Sequence, residues 1–125
     1  MFPFRRRKRV LLLDDDSAMR RLLSLLLRRA GYKVDAFTRG NDAIEAIDEN
    51  DYAAILLDLM MPLEGGMTVI RHLREHGPAM LRRVVLVTGA PDAVIGPLRN
   101  EIFGVVRKPF RHEEIATIVN KLTTR

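Results

Sequence analysis

The chain has no cysteine and no tryptophan, and only 6% of its residues are aromatic. Without cysteine there can be no disulfide, no thiolate metal site and no thiol nucleophile. Long hydrophobic runs are missing as well. The apolar stretch at 10–13 stops after four residues at Asp14-Asp15-Asp16. That is short of the roughly seven to fifteen residues of a secretory core, and no other stretch nears the ~18 apolar residues of a membrane span. These absences lead us to expect a cytoplasmic protein with no membrane span.

A surplus of charge spread over the folded body is also missing. Of 21 Lys and Arg, five fall in the run Arg5-Arg6-Arg7-Lys8-Arg9, and the remaining 16 match the 16 Asp and Glu. The net charge of +5 is therefore read as a basic N-terminal arm at 1–8 attached to a domain at 9–125 that is neutral from Val10 onward. A short arm with no folded reader gives weak, salt-sensitive attraction to polyanions, so no specific nucleic-acid partner is expected. What is present is ordinary for a globular domain: 125 residues, 47% hydrophobic and 30% charged, enough for one core and too few for two.

Five strand-length segments stand out, at 10–13, 32–37, 53–57, 84–87 and 105–106. All but the second lack the polar alternation of a half-exposed strand, which points to strands covered on both faces of a parallel sheet. Helical spacing lies between them. Residues 17–30 repeat Met19, Leu22, Leu23, Leu26 and Leu27, with Ser17 as N-cap and Gly31 as stop. Residues 41–49, 67–75 and 112–122 carry similar stripes. A helix over 91–100 is expected to be interrupted at Gly96-Pro97. Five alternating βα units predict an α/β fold, a doubly wound five-stranded parallel sheet with about five helices.

Ligands of such sheets bind beyond the carboxyl ends of the strands. The polar residues that follow the apolar runs there are Asp14, Asp15, Asp58, Thr88 and Lys108. Three carboxylates gathered without compensation would repel one another, so they make sense around a cation. A hard, oxygen-rich site suits Mg²⁺, which commonly shares its shell with phosphate. Lys108 and the Thr88 hydroxyl would add charge and a hydrogen bond for a phosphoryl group, and a carboxylate nucleophile would form an acyl phosphate. The histidines His72, His76 and His112 are read as solvated helix residues, and the six methionines as packing.

The segments Val10-Leu-Leu-Leu-Asp-Asp-Asp, Ile55-Leu-Leu-Asp-Leu-Met-Met-Pro with Gly66, Val84-Val-Leu-Val-Thr-Gly and Val106-Arg-Lys-Pro-Phe occur in that order. Together they make the chain resemble the receiver domain of two-component response regulators, stand-alone chemotaxis-type regulators included. The resemblance implies a flavodoxin-like sheet of order 2-1-3-4-5 and phosphorylation of Asp58 by a sensor histidine kinase or phosphotransfer protein. It also implies Mg²⁺ held by Asp15, the Asp58 carboxylate and the Met60 carbonyl, with Asp14 acting through water. Thr88 and Lys108 would contact the phosphoryl group, and the Lys108–Pro109 bond would be cis. The output would be contact with a downstream protein target, and a homodimer is compatible with it.

Val105 stands where the family usually carries a switch aromatic, and Phe103 lies nearby. A constitutive interaction module with the same fold is one rival reading. The other is a haloacid-dehalogenase-type phosphatase, since Asp14-Asp15-Asp16-Ser and Val87-Thr88-Gly89 also resemble two motifs of that family. It would use Asp14 as nucleophile and would need a second acidic pair, for which only Glu113-Glu114 remains.

Overall fold

The computed structural model describes residues 7–62 and 65–124; of the basic arm, residues 1–6 lie outside the described residues. Strands β1 (Arg9–Leu13), β2 (Lys33–Phe37), β3 (Ala54–Leu57), β4 (Val84–Thr88) and β5 (Gly104–Arg107) alternate with helices α1 (Ser17–Arg29), α2 (Gly40–Glu49), α3 (Gly66–His76), α4 (Asp92–Ile95) and α5 (His112–Thr123). The strands form one parallel sheet in the order β2-β1-β3-β4-β5. This is the doubly wound arrangement expected from the alternation.

Successive side chains of a strand point to opposite faces, and here both faces are covered. Leu11, Leu13, Ile55, Leu57, Val84 and Leu86 pack with Ala43 and Ile47 of α2, Val69, Ile70 and Leu73 of α3, and Ile95 of α4. Val10, Leu12, Ala54, Leu56, Val85, Val87 and Val106 face the other way, onto Leu23 and Leu27 of α1 and Ile115, Val119 and Leu122 of α5. The unbroken apolar runs follow directly, because neither face of β1, β3 or β4 meets water. Each fully buried Leu, Ile or Val contributes roughly 1.5–3 kcal/mol of burial free energy. The edge strand β2 is half-exposed, which accounts for its weaker pattern.

Helix α1 begins one residue earlier in its capping than the sequence suggested. Asp16, rather than Ser17, is the N-cap, and its Oδ1 accepts the N–H groups of Ala18 (2.9 Å) and Met19 (3.1 Å). A carboxylate there satisfies two orphan donors and opposes the positive end of the helix dipole. The expected break at Gly96-Pro97 is present and severe. α4 is a single turn, and the chain continues as a 3-10 turn, Gly96–Leu98, since Pro97 has no N–H to extend the ladder. A second 3-10 segment, Pro78–Arg83, follows α3 and buries Leu81.

Part of the basic run belongs to the fold. Arg9 opens β1 and donates to Asn50 Oδ1 at 2.7 Å, beside Asp35, and Lys8 Nζ donates to the Thr123 carbonyl. Val105 is half-buried against the α2–α3–α4 side, and Phe103 packs on the opposite side with α1 and α5. Phe103 therefore does not take the place of an aromatic at 105.

Candidate phosphoryl-acceptor and metal site

The hydrogen-bond ladder runs one residue beyond three strands, and those extra residues carry the chemistry. Asp14 N–H donates to Phe37 O (3.2 Å), Asp58 N–H to Leu13 O (3.1 Å) and Lys108 N–H to Thr88 O (3.0 Å). Asp14, Asp58 and Lys108 are thus held by sheet geometry rather than by loose loops. Thr88 is the last residue of β4 and is fully buried. All four side chains point to the same edge.

They form one connected network. Lys108 Nζ lies 2.8 Å from Asp14 Oδ2 and 3.0 Å from Asp58 Oδ2. The Thr88 hydroxyl donates to Asp58 Oδ1 at 2.8 Å, and the Met60 N–H donates to the same oxygen at 2.9 Å. Asp14 Oδ1 accepts the Asp16 N–H at 2.9 Å, and Arg20 Nη1 donates to the Asp14 carbonyl at 3.0 Å. Asp14 and Asp58 are 1% and 5% exposed, whereas Asp15 faces solvent. The Lys108–Pro109 bond is cis.

Electrostatics show what the cluster needs. Burial pushes the Asp14 carboxyl above the ordinary carboxylate range, and its hydrogen bonds to Lys108 and to the Asp16 N–H only partly offset this. Burial also works against charge on Lys108. There the hydrogen bonds to Asp14 and Asp58 prevail, and the ammonium is held more firmly protonated than usual. The two directions agree physically: one partly exposed ammonium is strongly wanted by two carboxylates and does not fully compensate the more buried one. Carboxylate oxygens of Asp14, Asp15 and Asp58 all lie within 4.8 Å of one another. Three carboxylates this close together, two of them sharing a single ammonium, fit a hard dication well.

Every residue singled out for the site falls in or beside this cluster. Met60 contributes its N–H to Asp58 while its side chain is exposed. The histidines are elsewhere: His72 meets Asp48 at 3.0 Å and lies tilted against the ring of His76, four residues on along α3, and His112 opens α5. Two features of the surroundings were missed. Arg107, next to Lys108, reaches back to the loop after β4, and the only signal for it was a second basic residue at a strand end. The other is the role of Gly66.

Gly66 donates its N–H to the Asp58 carbonyl at 3.0 Å, and a Cβ there would lie 2.7 Å from that oxygen. Gly66→Ala is therefore expected to cost about 1–3 kcal/mol. Because the clash falls on the Asp58 backbone, phosphoryl uptake should slow by more than the stability loss explains. Urea unfolding and uptake rate measured on one variant check both, and an uptake rate equal to wild type would contradict this role for the glycine.

A sequence model of the response regulator receiver domain matches residues 10–120. Among curated relatives, the transcriptional regulatory protein QseB of Escherichia coli O157:H7 is 34% identical over 102 residues, 79% of this chain and 45% of that protein. SrrA of Staphylococcus aureus is 33% identical over 101 residues, 81% of this chain and 42% of that protein. The chain thus spans less than half the length of these relatives. Among solved structures, the response regulator TrrA of Thermotoga maritima, in complex with Mg²⁺ and a beryllium fluoride, superposes with a TM-score of 0.80 at 27% identity, covering 92% of this chain and 98% of that one. A sensor protein from Polaromonas sp. JS666 gives 0.82 at 25% identity, covering 95% and 98%.

Proposed function

The chain belongs to the receiver-domain family of two-component response regulators, and from that membership we propose that Asp58 is its phosphoacceptor. The observation that carries this is the environment of Asp58. One carboxylate oxygen already receives two donors, Thr88 Oγ1 and Met60 N–H, and the other receives Lys108. These donors are preorganised, so they can hold charge on an incoming phosphoryl group without rearranging at the moment of reaction. In the transfer an Asp58 oxygen bonds to phosphorus, the phosphorus–nitrogen bond of a phosphohistidine breaks, and the leaving imidazole takes up a proton. The result is an acyl phosphate.

The residues present fit Mg²⁺. Asp15, the Asp58 carboxylate and the Met60 carbonyl are the proposed ligands, with Asp14 acting through water. Bound there, Mg²⁺ supplies positive charge for the phosphoryl oxygens. We assign the receiver domain to 9–125 and the basic arm to 1–8. A sensor histidine kinase or phosphotransfer protein lies upstream and a protein target downstream. Among the described residues no helix is long and apolar enough to cross a membrane, and we place the protein in the cytoplasm. The lack of a specific nucleic-acid partner belongs to the same proposal, with which a homodimer is compatible, and so does the absence of any turnover beyond slow loss of its own phosphoryl group.

The phosphatase reading has little to stand on. Glu113 and Glu114 are exposed in the first turn of α5, Glu113 paired with Arg111 at 3.0 Å, while Asp58 occupies the centre of the network. Peptide mapping after treatment with a small phosphodonor separates the two. A modified peptide containing Asp58 supports the receiver chemistry, and one containing Asp14 would overturn it. Persistence of the label tests a finer point. Met60, whose N–H meets Asp58, carries an exposed apolar side chain with no group to orient a hydrolytic water, and Ala90, buried in the core, adds none. Met60→Asn is accordingly expected to shorten the acyl-phosphate lifetime on the order of tenfold, equivalent to ~1.4 kcal/mol of barrier, read by loss of label over time. An unchanged lifetime would count against water orientation as the control.

A further inference from the structure

Arg107 pairs in register with Thr88 across the β4–β5 ladder, and its guanidinium spans a gap that backbone bonds do not. Nη1 donates to the Ala90 carbonyl at 2.9 Å, and Nη2 lies 3.1 Å from Asp92 Oδ1, the first residue of α4. The Ala90 N–H in turn donates to Thr88 Oγ1 at 3.2 Å, and that hydroxyl donates to Asp58 Oδ1 at 2.8 Å. Asp58, Thr88, Ala90, Arg107 and Asp92 therefore form an unbroken hydrogen-bonded chain from the buried carboxylate to the molecular surface. We propose that Arg107 is a positioning residue that latches α4 to the sheet while Asp58 is unmodified and lets it go when Asp58 carries a phosphoryl group. The inference rests on the phosphoacceptor reading of Asp58.

The argument is one of competing acceptors. Thr88 Oγ1 now has two roles, donor to Asp58 and acceptor from Ala90. Acylation leaves the Asp58 carbonyl neutral and puts the negative charge on phosphoryl oxygens farther from the sheet, and charge-assisted hydrogen bonds are about twice as strong as neutral ones. The hydroxyl follows them and ceases to hold the Ala90 N–H, already the longest bond of the chain. As that peptide moves, its carbonyl leaves the reach of Arg107. What remains is the Arg107–Asp92 pair, with side chains 44% and 84% exposed, and an exposed pair holds little on its own.

Helix α4 is suited to such control because little else secures it. It is one turn long, its Val94 and Ile95 amides both return to the Pro91 carbonyl, and Gly96-Pro97 blocks extension. Ile95 is its one buried side chain, and Val94 is exposed. Release of α4 alters the surface beside β5, where Val105 stands half-buried.

Amide hydrogen exchange at Val94 and Ile95 tests the latch, with and without beryllofluoride and Mg²⁺ as the acyl-phosphate analogue. Wild type should exchange about fivefold faster or more with the analogue bound. Arg107→Gln should exchange fast in both states, so that the difference between states collapses, and Arg107→Lys, with one donor group instead of a fork, should fall between. A purely structural Arg107 would speed exchange at rest and leave the ratio between states as in wild type, which would overturn the proposal. Intact mass of wild type after incubation with a small phosphodonor is recorded alongside. Phosphoryl uptake with no change in exchange would overturn the latch alone, and no uptake would overturn the reading of Asp58 and the latch with it.

Discussion

Lys108→Ala is expected to destabilise the metal-free protein by about 3 kcal/mol and to slow phosphoryl uptake by roughly 10²–10³-fold. The stability loss follows from what the ammonium leaves behind. Asp14 and Asp58, both almost fully buried, would face each other with no cation between them. Removing one partner of a buried ion pair costs more than the pair contributes, because the stranded charge stays desolvated. Saturating Mg²⁺ should recover most of this loss, since a dication held by the same carboxylates replaces the missing charge and binds only the folded state. The rate loss should persist with Mg²⁺ present, because Lys108 is also the donor to the Asp58 oxygen. Urea unfolding with and without Mg²⁺, beside uptake kinetics, reads both effects. Equal destabilisation in the two conditions would mean that metal and lysine do not share a site.

Asp14→Asn should act in the opposite direction on stability. Burial raises the Asp14 carboxyl above its ordinary range, so the folded protein holds that proton more tightly than the unfolded chain does. The ionised form is therefore a cost, absent at pH below the ordinary carboxylate range and growing as pH climbs through the raised value. A neutral isostere removes it, and Lys108 keeps Asp58 as its partner. Near neutral pH and without metal, Asp14→Asn is expected to be more stable than wild type by on the order of 1 kcal/mol, the scale of many stabilising changes at functional sites. The gain should vanish in acid. Mg²⁺ should raise the unfolding midpoint of wild type more than that of the variant, which keeps the direct ligands and loses the charge that acts through water. A variant less stable than wild type at neutral pH would show that the ion pair with Lys108 outweighs the desolvation of Asp14.

Much of this was legible before any coordinates. The unbroken apolar runs of β1, β3 and β4 announce strands with two covered faces, and the polar residue that ends each run marks the ligand edge of the sheet. Asp14, Asp58, Thr88 and Lys108 meet there because the parallel ladder continues one residue past the strand ends, a regularity that sequence position alone conveys. The parts that were not legible depend on competition between neighbouring groups. Asp16 and Ser17 are both good caps, and only the backbone turn decides for the carboxylate. Gly96-Pro97 signals a break, but that one turn of α4 survives before it depends on Ile95 filling the core. Arg107 is one of many arginines in the chain, and nothing in its spacing distinguishes a solvated side chain from one that bridges Ala90 and Asp92. Gly66 has the same character, since its need for a missing Cβ arises from a carbonyl eight residues earlier.

The central claim is that Asp58 accepts a phosphoryl group with the help of a cation bound beside it. Intact mass after incubation with a small phosphodonor tests it most directly, on wild type with Mg²⁺, on wild type with chelator and on Asp58→Asn with Mg²⁺. The account predicts one added phosphoryl group in the first sample and none in the other two. Addition to Asp58→Asn, or no addition to folded wild type with Mg²⁺, would contradict it.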